Sequence, residues 1–115
     1  MTAKYLIFGA TGAIGSNLAN QLYESKQAIH LVARNEEEVK SLSKKLNCSY
    51  SVVDVLENNF IDKIKSEITE IKGIAYCVGS IDLKPLRMVK KEDFQKCFDL
   101  NFYPIVETIK NFQES

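Results

Sequence analysis

The sequence predicts an α/β fold, a doubly wound parallel sheet of four strands with helices on both faces. Three observations carry this. Short apolar runs alternate with amphipathic segments along the chain, in the order β-α-β-α-β-α-β-α. The first run, Tyr5-Leu6-Ile7-Phe8, is apolar at successive positions, as a strand covered on both faces requires. A glycine-rich turn, Gly9-Ala10-Thr11-Gly12-Ala13-Ile14-Gly15, then separates that strand from an amphipathic segment.

Taken in order, the first strand covers Lys4–Gly9, and Ile14, Leu18 and Leu22 repeat every four residues in the helix that follows. The second strand, Ala28–Ala33, carries the single histidine, His30, to which a structural role is assigned. Asn35 and Glu38 match a capping box, and Glu36 and Glu37 suit the positive end of the next helix. Val39, Leu42 and Leu46 mark its apolar side. A third strand at Ser49–Val53 leads to a helix marked by Ile64 and Ile68, and a fourth strand covers Gly73–Gly79. A final helical stretch starts near Glu92, with Phe94, Phe98, Ile105, Ile109 and Phe112 as its apolar side. Pro104 falls inside it, where a missing N–H either kinks the chain near Leu100–Asn101 or breaks the helix in two. Right-handed crossovers give the strand order 3-2-1-4. The switch point then lies between the first and fourth strands, and ligands of open α/β sheets bind there, beyond the carboxyl ends of the strands.

Composition narrows the function. The 115 residues suit a single domain, 1–115, and 45% apolar with 26% charged residues is ordinary for a globular protein. A formal net charge of zero with scattered lysines gives no footprint for nucleic acid. No apolar run is long enough to cross a bilayer, and the start, Met1 to Phe8, lacks a signal peptide's features. The cytoplasm is the expected location. Cys48, Cys77 and Cys97 are odd in number with no metal-like spacing, so small buried or half-buried thiols are expected and no metal site.

The glycine turn carries the chemistry. Gly9 lets the chain turn sharply, Gly12 lets backbone approach a pyrophosphate, and Gly15 allows helix to pack closely on strand. The N–H groups that open the helix favour phosphate. Thr11, Ala13 and Ile14 belong to the same binding run. In a dinucleotide fold, an acidic residue ending the second strand would hold a ribose 2′-hydroxyl and repel a 2′-phosphate. Here the positions read Ala33-Arg34, and a guanidinium can hold a phosphate through paired charge-assisted bonds. Asn35 adds a further donor. NADP(H) is therefore expected over NAD(H).

The run Gly9–Gly15 resembles the glycine motif of the short-chain dehydrogenases/reductases, a family with a Rossmann-like nucleotide-binding fold. Its GxxGxxG spacing is nearer to the epimerase-like and atypical branches, because Ala13 stands where the main branch has a second glycine. Two segments resemble the main branch instead. Asp54-Val55 is similar to the family's aspartate after the third strand, which implies a hydrogen bond from the adenine amino group to Asp54. Phe98-Asp99-Leu100-Asn101-Phe102 is similar to the helix segment holding the family's active-site asparagine, which implies a catalytic role for Asn101. Where the main branch ends its fourth strand Asn-Asn-Ala-Gly, this chain reads Tyr76-Cys77-Val78-Gly79, and Gly79 alone is kept.

The resemblance implies hydride transfer between NADP(H) and a carbonyl or alcohol substrate, with Gly9, Thr11, Gly12, Ala13, Ile14, Gly15, Arg34, Asn35, Asp54, Val55 and Gly79 around the cofactor. Family catalysis also uses a Ser and a YxxxK pair. Here Tyr5, Tyr23, Tyr50, Tyr76 and Tyr103 are followed four residues later by Gly9, Gln27, Asp54, Ser80 and Glu107. The chain is thus expected to be the cofactor half of the family's fold, incomplete at its C-terminal end and inactive alone. An open fourth strand and an apolar last helix suggest self-association as a homo-oligomer. The alternative is a non-catalytic nucleotide-binding or protein-interaction module of the atypical type.

Overall fold

The computed structural model describes residues 3–68, 70–78, 88 and 90–112. The elements are β1 (Lys4–Phe8), α1 (Ala13–Glu24), β2 (Ile29–Ala33), α2 (Glu36–Leu46), β3 (Ser49–Val52), α3 (Phe60–Lys65), β4 (Ile71–Tyr76), α4 (Lys91–Asn101) and α5 (Tyr103–Phe112). The four strands form a parallel sheet in the order β3-β2-β1-β4. This is the predicted fold and the predicted strand order. Phe8 pairs with both Val32 and Tyr76, so the carboxyl ends of β1, β2 and β4 finish level with one another. The expected fourth strand, Gly73–Gly79, is displaced: β4 starts earlier, at Ile71, and ends at Tyr76. Gly79 lies outside the described residues.

Alternation along the strands divides the core in two. Leu6, Phe8, Val32 and Val53 face α3, where Phe60, Ile61 and Ile64 meet them with Ile68, and Phe112 of α5 packs on the same cluster. Ile7, Leu31 and Ala33 face the other way, onto Ala19 of α1 and Val39 and Leu46 of α2. The central strands β1 and β2 therefore bury both faces, and their continuous apolar runs follow from that.

The helix faces differ in detail from their expected stripes. In α1 the inward positions are Gly15 and Ala19, with Leu22 packed alongside, while Ile14 is 76% exposed. Small residues win that face because α1 lies too close to the strand turn for a large side chain. In α2, Asn35 caps the start through Oδ1, which accepts the Glu38 N–H at 3.0 Å. Asn47 closes its end at a left-handed φ of 50°. The last helical stretch is broken in two at Phe102, and Pro104 sits in the first turn of α5, where its missing N–H costs least. The inward stripe of α5 is Pro104, Thr108 and Phe112, not Ile105 and Ile109, and Ile109 and Phe98 are about half exposed. Among the described residues no helix is long and apolar enough to cross a membrane.

His30 is fully buried between two serines, with Nδ1 2.6 Å from Ser49 Oγ and Nε2 2.7 Å from Ser51 Oγ. Lys4 Nζ donates to Ser49 Oγ at 2.9 Å. Register places these groups together, since His30 pairs with Ser49 across β2 and β3. The histidine fills a core position and satisfies its polar atoms within the sheet, far from the carboxyl ends of the strands. Cys48 and Cys77 are half-buried as expected, whereas Cys97 is exposed on α4.

Candidate functional site

Beyond the carboxyl ends of β1, β2, β3 and β4 lies a cleft of about 240 Å³. Ladder bonds continue past the strand ends to build its floor: Gly9 N donates to Val32 O at 2.9 Å, Cys77 N to Phe8 O at 2.9 Å, and Val53 N to Ala33 O at 3.0 Å. Its walls include Gly9, Thr11, Gly12, Arg34, Asp54 and Val55. Six positions singled out in sequence, from three separate loops, thus meet in one concavity at the switch point.

The three glycines have different reasons to be there. Gly9 adopts φ +71°, and a Cβ on it would lie 2.8 Å from the Cys77 carbonyl carbon. Both the turn and the approach of β4 exclude a side chain. Gly15 is buried beneath the turn, and its Cβ would fall 2.2 Å from Gly9 O. Gly12 differs: its Cβ would meet nothing closer than Gly9 O at 3.5 Å, an ordinary contact, and the residue faces solvent. The fold itself does not need a glycine there. Gly12 is also the N-cap of α1, which has no side-chain cap and no acidic residue in its first turn. The opening N–H groups of a helix lack intrahelical partners and carry its positive end. The open flank at Gly12 and the uncapped helix start together form a cradle suited to a pyrophosphate.

Opposite the turn, Arg34 is exposed at the end of β2, and among the described residues it forms no ion pair. Asp54 Oδ1 accepts the Leu56 N–H at 2.9 Å, and Asp54 N donates to Glu57 Oε1 at 3.3 Å, so the loop after β3 holds this carboxylate by its own backbone. Ala13 and Ile14 are exposed on α1 outside the cleft, and Asn35 spends its carbonyl oxygen on capping α2. Asn101 closes α4 and donates through Nδ2 to Cys97 Sγ at 3.3 Å. It stands beside the cleft rather than in its wall, next to Leu100, which does line it.

Cys77, Val78 and Leu100 line the cleft without having been singled out for it. Cys77 and Val78 follow the end of β4, where the switch-point rule directs attention. Leu100 carries no such signal, because the packing of α4 brings it there. Burial pushes the Cys77 thiol pKa up, so this wall stays uncharged.

Comparison with known proteins agrees with this geometry. Residues 3–115 match the family model described as short chain dehydrogenase. A curated relative, the 3-oxoacyl-[acyl-carrier-protein] reductase FabG of Rickettsia bellii, is 31% identical over 100 residues, covering 84% of this chain and 41% of the relative. Among solved structures, a short-chain type dehydrogenase/reductase from Mycobacterium ulcerans superposes with a TM-score of 0.83 at 19% identity, covering 97% of this chain and 46% of that one. The closed form of a serine dehydrogenase complexed with NADP+ gives 0.84 at 18% identity, covering 95% of this chain and 47% of that one. The chain thus spans less than half the length of these relatives. Fold, strand order and family model coincide over the same residues, and the chain belongs to the short-chain dehydrogenase family.

Proposed function

We propose that this chain is the NADP-binding part of a short-chain dehydrogenase/reductase that moves hydride between NADP(H) and a small carbonyl or alcohol substrate. The observation that carries the reading is the cleft at the switch point, where the open glycine cradle, Arg34 and Asp54 converge. Family members bind NAD(P), and one structural neighbour is complexed with NADP+. In this reading Gly9, Thr11 and Gly12 form the pyrophosphate turn and Gly15 packs beneath it. The first N–H groups of α1, those of Ala13 and Ile14 among them, face the phosphates. Arg34 takes the 2′-phosphate with Asn35 Nδ2 beside it, Asp54 and Val55 hold the adenine, and Gly79 follows the end of β4. The bound nicotinamide supplies or accepts the hydride. Asn101 is the catalytic residue assigned within these residues. With no YxxxK in the sequence, the 115 residues alone are expected to show no turnover. A cytoplasmic location and a homo-oligomer joined through the exposed apolar side of α4 and α5 belong to the same reading.

Arg34 tests the cofactor assignment. Arg34→Ala is expected to weaken NADPH binding by about 1–3 kcal/mol, the range for a hydrogen bond to a charged group. NADH binding should scarcely change, as calorimetry of both nucleotides would show; equal losses would remove Arg34 as the discriminator. Gly12 tests the cradle. Gly12→Ala should weaken NADPH binding about tenfold or more, about 1.4 kcal/mol per decade, while the unfolding midpoint stays close to wild type. A large fall in that midpoint with unchanged affinity would make Gly12 a folding residue.

A further inference from the structure

The cofactor and catalytic roles leave Tyr76 without a task, although it stands where the last strand meets the cleft. Its ring packs on Phe8 with centroids 5.4 Å apart, and its hydroxyl donates to the carbonyl of Leu100, a residue of the cleft wall. In an unbroken helix that carbonyl would accept the N–H four residues on. The residue four positions on is Pro104, which has none. The break between α4 and α5 and the tyrosine contact therefore concern the same carbonyl oxygen.

We propose that Tyr76 and Pro104 work as a pair: Pro104 releases the Leu100 carbonyl from the helix, and the Tyr76 hydroxyl ties it to the end of β4. The tie sets the distance of Leu100, and of Asn101 beside it, from the sheet. Tyr76 is thus a positioning residue for the cleft. Burial pushes the Tyr76 hydroxyl up to about 12, so it remains a donor throughout the physiological range. The consequence for ligand binding rests on reading the cleft as the nucleotide site; the pairing itself does not.

A double-mutant cycle on the full chain tests this, with wild type, Tyr76→Phe, Pro104→Ala and the double variant. Tyr76→Phe keeps the ring and removes the donor. Two readouts are taken: amide hydrogen exchange across residues 98–106, and affinity for NADPH. In the wild-type background Tyr76→Phe should speed exchange and weaken NADPH binding, each by about three- to tenfold, the scale of one hydrogen bond. In the Pro104→Ala background, where position 104 regains an N–H for the Leu100 carbonyl, the same change should alter either readout by less than about twofold. A merely structural loss of a half-buried hydroxyl would cost the same in both backgrounds, and that result would overturn the pairing, as would no effect in wild type. If wild type fails to bind NADPH, the nucleotide reading falls, while the exchange cycle still decides for or against the tie.

Discussion

Gly15→Ala is expected to destabilise the protein by about 3 kcal/mol or more, the upper range for forcing an atom into a packed site. The added methyl would lie 2.2 Å from Gly9 O, 2.9 Å from Gly9 C and 3.0 Å from the Ala10 Cα. All three are backbone atoms, and none can step aside as a flexible side chain would. Relief requires α1 to lift away from the end of β1, which would open the core around Ala19, Ile7 and Leu31. Denaturant unfolding of the variant gives the answer. Gly12→Ala is the internal control, since it lies three residues away in the same turn with only a 3.5 Å contact to meet. Similar losses at both positions would mean that the turn relaxes as a unit and that the distinction between a packing glycine and a ligand glycine is wrong.

The second large effect concerns pH. Burial, and next the nearby Lys4 charge, depress the His30 pKa from 6.5 to about 4. The folded state thus holds a neutral imidazole, its two nitrogens engaged with Ser49 and Ser51. In the unfolded chain the ring takes up a proton near its ordinary value. Between about 6.5 and 4 the unfolded state therefore binds more protons, and stability falls as the pH drops through that window. The contribution is complete above 6.5, and up to about 3 kcal/mol is lost by the time the pH reaches about 4, since each tenfold difference in proton affinity between the two states is worth about 1.4 kcal/mol. Unfolding free energies at several pH values check this against His30→Gln, which does not titrate. The variant's own stability is secondary; the difference in slope between the two proteins is the readout. Parallel slopes would show that His30 charges in the folded state without penalty.

Much of the fold was legible because it rests on local, repeated chemistry. Doubly buried strands must be apolar at successive positions, and Tyr5-Leu6-Ile7-Phe8 is, as is Leu31-Val32-Ala33 in the second strand. Part of the wall of the cleft was legible for a related reason. Gly9, Gly12, Arg34 and Asp54 all immediately follow or lie near strand ends, so knowing the strands and their order brings them together. The helix faces were harder. Ile14 suits the stripe of α1 by spacing, yet Gly15 faces inward, because the turn before it admits no side chain. Ile109 suits α5 by spacing, yet the break at Phe102 resets the helix and turns Pro104 and Thr108 inward.

From the sequence alone came the parallel sheet, its order and the glycine-rich turn after the first strand, because glycine need and strand burial act on neighbouring residues. The tertiary structure decided what depends on distant residues meeting. It made Gly12 the one glycine of the turn whose side-chain space is open, set His30 between two serines of the next strand, and brought Leu100 into the cleft. It also joined Tyr76 to the carbonyl that Pro104 leaves behind, across 24 residues of chain. No local pattern encodes such a contact, since it arises where the end of a strand and the break in a helix close on each other.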